Sequence, residues 1–268
     1  MSFQLIIVGG GRMGSALAQG LLDAQWCAPD ELAIIEVSNE QRVALAQQFD
    51  GVAIFESIEP EHVGPETGVL LCVKPDQAEG AARLAAATGA NRLLTVVAGL
   101  SSARIEAVFP GPTAVVRSMP NTPVLVGKGV SAIAGGSHVT KADLDWAETI
   151  LSAVGTVVRV TERNIDAVTG LSGSMPAYLY LVVESLIEAG VHQGLTRDVA
   201  RQLVVGTFEG SAALLVQTGE SPEELRAQVT SPGGTTAAGL RMLEGRAVRA
   251  AFLEAVAAAT ERSRQLGR

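Results

Sequence analysis

Hydrophobic and polar positions along this chain change rhythm once. Short, β-branched apolar runs at residues 3–8, 32–37, 52–55, 69–73, 93–97, 113–117, 130–134 and 156–160 predict eight strands. Stretches with apolar residues at helical spacing, residues 15–22, 40–49, 77–87, 102–108 and 141–151, separate many of them. Nearly continuous apolar strands interleaved with amphipathic helices predict a largely parallel sheet covered on both faces, a doubly wound α/β fold. After about residue 160 the strand signal stops and the pattern is helical to the end. Residues 176–189 are long and apolar, Thr196 can cap a helix through Leu215, and residues 247–266 are Ala-rich and amphipathic. Ser221-Pro222-Glu223-Glu224 combines an N-cap serine, proline at the first helical position and glutamate at the third. The boundary is therefore set near Thr161, with one domain over residues 1–160 and an all-α domain over 161–268. Helices this apolar in so short a segment cannot bury every face alone, which predicts a homodimer through the helical half.

Composition narrows the partners. The chain is 47% hydrophobic and 18% charged, a globular profile, and its net charge of -8 argues against a nucleic-acid or anionic-membrane surface. An anionic ligand must then be held locally. The N-terminus has no basic region before its apolar run, and no apolar stretch reaches the ~20 residues of a membrane helix, so a cytoplasmic location is expected. Cys27 and Cys72 are too few and too isolated for a disulfide framework or a zinc cage, and Cys72 reads as a small buried hydrophobe. His62, His138 and His192 share no metal-ligand spacing, so no metal is expected.

Gly9-Gly10-Gly11-Arg12-Met13-Gly14 matches the dinucleotide fingerprint directly after a predicted strand and before a predicted helix, which makes the first domain Rossmann-type. Gly9 permits the tight turn, Gly11 lets the backbone approach a pyrophosphate, and Gly14 allows helix and strand to pack closely. Arg12 and Met13 bring further amides to the helix start. Glu36 follows at the expected distance, where an acid binds the ribose 2′-hydroxyl and repels a 2′-phosphate. NADH is therefore favoured over NADPH, which Ser38 with Arg42 would admit if Glu36 pointed away. Two further loops leave predicted strands, Lys74-Pro75 and Ala98-Gly99, and Asn121 lies in a proline-rigidified loop after another; all are candidate cofactor contacts.

Near the other end, Ser231-Pro232-Gly233-Gly234-Thr235-Thr236 opens a helix running through Leu240 and Leu243. Bare backbone amides and hydroxyls entering a first helical turn make a pocket for a small carboxylate. With the fingerprint, this predicts a reductase of a small anionic metabolite. The whole chain resembles the pyrroline-5-carboxylate reductase family. The resemblance rests on residues 9–14, 73–75, 119–123, 166–169, 171–174 with 176–178, and 229–243, in order and at suitable spacing.

That resemblance implies a Rossmann domain followed by a helical domain that interlocks with a second copy, with dimers often assembling into decamers. It implies that NADH or NADPH reduces a cyclic imino acid to proline, with the substrate carboxylate on residues 231–236, the Thr236 hydroxyl beside the ring nitrogen and Glu162 near the substrate. Two positions depart from the family pattern: Met175 stands where glycine is usual and Gln228 where asparagine is frequent. Three other readings share parts of the pattern. A β-hydroxyacid dehydrogenase depends on a helical lysine, yet Lys74, Lys128 and Lys141 all precede the helical half. A reductase of another cyclic imine fits the same loops, and a non-enzymatic dinucleotide sensor has no use for residues 231–236.

Overall fold

The computed structural model describes residues 2–267. All eight predicted strands are present in one sheet: β1 Leu5–Val8, β2 Leu32–Ile35, β3 Ala53–Phe55, β4 Gly68–Leu71, β5 Arg92–Thr95, β6 Ala114–Met119, β7 Gly129–Gly135 and β8 Gly155–Arg159. They lie in the order β3-β2-β1-β4-β5-β6-β7-β8. The chain thus starts mid-sheet, winds out to one edge, returns, and winds to the other. Neighbours are parallel except β6 and β7, which run antiparallel. Every residue of β1, β2 and β4 is buried, which is why these strands read as unbroken apolar runs.

Five helices flank the sheet: α1 Arg12–Asp23, α2 Asn39–Gln48, α3 Ala78–Ala87, α4 Ser102–Glu106 and α5 Lys141–Ser152. Ile7 and Ile34 face one core with Leu17, Leu21, Leu45 and Ile150. Ile6, Val69 and Leu71 face the other with Ala78, Ala82 and Ala85. The alanine stripe of α3 lets that helix lie low on the strands.

The helical remainder comprises α6 Ile165–Val168, α7 Met175–His192, α8 Arg197–Thr218, α9 Pro222–Gln228, α10 Thr235–Gly245 and α11 Val248–Leu266. Two compact units result, one reaching Ser174 and including the chain's end from Ala257, the other Met175–Val256. The first of these units includes α6 and the π-helical turn Thr169–Gly173. Ile165 is buried against Met119, Ala132 and Ala134. The Ser263 hydroxyl on α11 donates to Asp166 Oδ1 at 2.7 Å, fastening the end of that helix to the same unit.

The second unit has almost no core of its own. Its buried hydrophobics among the described residues are Ile187 and Ala200, while Leu181, Val216 and Leu253 are 63%, 84% and 73% exposed. Among the described residues one helix, α8, is long and apolar enough to cross a membrane by length and composition: it spans 22 residues, and an 18-residue window within it has a mean hydropathy of 1.3. Small residues such as Gly206, Gly210 and Ala212 space out its large apolar ones, so no continuous run stands out in the sequence.

The fingerprint turn leaves no room for a side chain at Gly14. Gly9 has φ +103, and a Cβ on Gly14 would lie 2.0 Å from the Gly9 carbonyl oxygen. Gly14→Ala should therefore destabilise the sheet unit by about 3 kcal/mol through overpacking against backbone, read as a lower denaturant midpoint. A near-wild-type midpoint would show that the turn can relax.

Candidate functional site

The site is built where strands leave the sheet. β1 ends at Val8, the chain turns through Gly9 and Gly10, and α1 starts on Gly11, an extended N-cap that offers no side-chain hydrogen bond. A Cβ built on Gly11 would meet nothing within 4 Å, so the backbone there is open to a close-approaching ligand. Uncapped amides and the positive end of the helix dipole suit a pyrophosphate. Beside the turn is a cleft of about 480 Å³ whose walls include Gly9, Gly11, Glu36, Glu56 and Lys74.

Glu36 is the first residue beyond β2, and its side chain turns toward the glycine loop. Oε2 accepts from the Gly10 amide at 3.0 Å and Oε1 from the Ser38 amide at 2.9 Å. The parallel register sets Ile35 opposite Phe55, so Glu56 emerges beside Glu36. Lys74 is exposed at the exit of β4, just before the short turn Pro75–Gln77 that leads into α3. Val37, Ile58, Ala81 and Leu84 give the cleft an apolar wall. Cys72 is in that wall too, and burial pushes its thiol far above the usual range, leaving it a neutral hydrophobe.

Other predicted cofactor residues are placed differently. Arg12 is exposed at the start of α1, while the Met13 side chain packs on the core rather than facing the cleft. Pro75, Ala98 and Gly99 line a separate hollow of about 280 Å³ with Leu266. The Asn121 side chain is buried and occupied: its oxygen accepts from the Val130 amide at 2.9 Å, and its nitrogen donates to the Ser172 hydroxyl at 3.3 Å. Asn121 therefore ties its loop to β7 and to the π-helical turn.

Glu162 is also committed to protein. Its carboxylate accepts from the Ser102 amide at 2.7 Å and from the Ser102 hydroxyl, and it pairs with Arg117 at 3.4 Å. It thus holds the start of α4, directly after the Ala98-Gly99 loop. Both carboxylate oxygens thus have protein partners, Oε1 the Ser102 amide and Arg117, Oε2 the Ser102 hydroxyl.

In the second unit, residues 231–236 form the predicted bare loop. Gly233 takes φ +69, and Gly234 is the N-cap of α10 with no side-chain hydrogen bond and no acid in the first turn. Ser231, Thr235 and Thr236 are exposed there. The Gln228 amide is taken up by the Glu220 carboxylate.

Residues 162–266 match the family model described as pyrroline-5-carboxylate reductase dimerisation, and residues 4–99 match the model described as NADP oxidoreductase, coenzyme F420-dependent. A pyrroline-5-carboxylate reductase of Synechocystis is 42% identical, covering 100% of both chains. One from Corynebacterium melassecola is 40% identical over 98% of each. This chain belongs to the pyrroline-5-carboxylate reductase family. The solved structure of the Coxiella burnetii member is 30% identical with a TM-score of 0.92, covering 99% of each chain. That of Plasmodium falciparum pyrroline carboxylate reductase with NADP bound is also 30% identical, with a TM-score of 0.86, over 99% of this chain and 98% of that one.

Membership in the reductase family agrees with the expected sheet and with the helical segment after it. Sequence reasoning missed Glu56, Arg117 and Ser102. The first was within reach, since the rule that ligands collect at strand exits applies to β3 as it does to β4. The pairing of Arg117 with Glu162 bridges residues far apart in the chain, and no local pattern announces it. Glu162→Leu would leave a guanidinium with only 7% side-chain exposure without its anion. A stability loss of about 3 kcal/mol is expected, with Glu162→Gln losing less; denaturant titration of both checks it, and equal losses would show that the charge is immaterial.

Proposed function

We propose that this reductase converts pyrroline-5-carboxylate to proline, using the glycine turn to hold the dinucleotide and residues 231–236 to hold the substrate carboxylate. The reduced nicotinamide supplies a hydride to the carbon of the cyclic C=N bond, whose nitrogen, already protonated, becomes the ring amine. The protein's own part is positioning, which can account for a large share of such a rate. Amides of Gly233 and Thr235 are offered to the carboxylate with the α10 dipole behind them, the Gly234 amide closes the loop by donating to the Ser231 carbonyl at 3.0 Å, and the Ser231 hydroxyl lies at the rim. The Thr236 hydroxyl accepts from the protonated ring nitrogen and so fixes the face presented to the hydride. The observation that carries this reading is the glycine N-cap of α10, which leaves the first-turn amides without a side-chain partner or a competing acid.

On the dinucleotide side, Gly9, Gly11, Arg12, Met13 and Gly14 supply the turn and its amides, and Lys74 brings a cation to the cleft. Pro75 rigidifies that exit, and Ala98 with Gly99 forms the next exit along the sheet. Glu36 supports NADH as the preferred donor, because a carboxylate accepts from a ribose 2′-hydroxyl and repels a 2′-phosphate. The sparsely buried second unit supports a homodimer through its helices, on which a decamer of five such pairs can be built.

Thr236→Ala removes one hydrogen bond to a charged group, worth about 1.5–3 kcal/mol. Turnover should fall roughly 10- to 100-fold, with dinucleotide affinity near wild type. Steady-state rates and dinucleotide titrations separate the two, and unchanged turnover takes Thr236 out of the mechanism. The dimer reading predicts an unfolding midpoint that rises with protein concentration; calorimetry over a hundredfold dilution checks this, and a constant midpoint with a monomer mass by light scattering overturns it.

A further inference from the structure

We propose that Glu56 sets cofactor choice in this protein by holding the Arg42 guanidinium on the protein and away from a 2′-phosphate. The inference rests on the reading that the cleft beside Glu36 takes the adenosine ribose. It adds a residue that the fingerprint does not contain.

Glu36 and Glu56 leave neighbouring parallel strands side by side, linked by the Glu36 amide donating to the Phe55 carbonyl at 2.9 Å. Both line the cleft. Arg42, in the first turns of α2, reaches back under this rim. Its Nη1 donates to the carbonyls of Glu36 and Val37 at 2.9 and 2.8 Å. Its Nη2 donates to Asn39 Oδ1 at 3.3 Å and to Glu56 Oε2 at 3.2 Å. The Arg42 side chain is only 20% exposed, whereas Glu56 is 73% exposed. The neighbouring hydroxyl is also occupied, since Ser38 Oγ accepts from the Gln41 amide as the cap of α2.

The rim therefore presents two carboxylates outward while both terminal nitrogens of its guanidinium are directed at protein acceptors. A ribose 2′-hydroxyl can donate to Glu36 without disturbing this arrangement. A 2′-phosphate must approach two like charges and compete with Glu56 for Arg42. Because Glu56 is the exposed end of the pair, neutralising it both lifts a repulsion and frees Nη2, while the carbonyls of Glu36 and Val37 keep the guanidinium in place. The ligand group that Glu56 excludes is thus a phosphorylated ribose.

The test compares wild type, Glu56→Gln and the double variant Glu56→Gln/Arg42→Met as intact, folded proteins. The readouts are kcat/KM for NADPH and NADH, and calorimetric binding of adenosine 2′,5′-bisphosphate against 5′-AMP. In Glu56→Gln the NADPH-to-NADH ratio should rise roughly tenfold, with the bisphosphate gaining similarly over 5′-AMP. The gain should shrink at high salt, as exposed charge effects do. It should fall well below tenfold in the double variant, where only the relief of repulsion remains. An unchanged ratio in Glu56→Gln overturns the proposal, as does a gain undiminished by loss of Arg42. Wild-type preference for NADPH would overturn the NADH reading alone, because the role of Glu56 is read from the change in ratio.

Discussion

The structure turns on how helix N-termini are closed. Five helices begin on a serine or threonine whose oxygen accepts from the first turn: Ser38, Ser101, Thr140, Thr196 and Ser221. Two begin on a glycine that offers nothing, Gly11 at α1 and Gly234 at α10. A first turn left open carries several unsatisfied amides and the positive end of the dipole, and water or an anionic ligand must complete it. Each unit thus contains one such opening, one suited to a dinucleotide pyrophosphate and the other to a small carboxylate.

The sheet makes the first opening usable. Parallel pairing of β3, β2, β1 and β4 brings four strand exits to one edge in register. Gly9, Glu36, Glu56 and Lys74 therefore share a cleft although they are scattered through the first part of the sequence. Glu36 also braces the turn by accepting from the Gly10 amide, so the acid at the exit of β2 helps to hold the glycine loop. Changing Glu36 would alter cofactor choice and turn geometry together. Glu56 has only Arg42 and solvent to satisfy, which makes it the cleaner place to vary selectivity.

Much of this was legible in the sequence because parallel strands buried on both faces leave unbroken apolar runs, and β1, β2 and β4 are of that kind. The capping residues of α8 and α9 were legible for a similarly local reason, since Thr196 and Ser221 act on amides three residues away. Long-range satisfaction is a different matter. Nothing near Asn121 or Glu162 in the chain shows that Val130, Ser172, Ser102 and Arg117 will use up their side chains. A polar residue in a loop therefore reads as available until its partners are known. Ile165 is a related case: it is apolar in a helical pattern, and only packing shows that it serves the sheet unit.

The helical unit poses the reverse problem, with ample regular structure and little to bury it. Hydrogen bonds within a helix contribute only modest net stability, and isolated helices are marginal in water, so most of a helix's stability must come from covering its apolar face. With Ile187 and Ala200 as its buried hydrophobics among the described residues, this unit cannot supply that cover internally. Cover from a second copy is the economical solution for a segment that matches a dimerisation model throughout. The opening at Gly234 lies in the same unit, so the order of the loop that would hold the carboxylate depends on that cover. Cofactor binding, by contrast, draws on a sheet unit with a complete core on both faces. The two units thus draw on different sources of stability: packing within one chain for the sheet unit and, on the dimer reading, association between chains for the helical one.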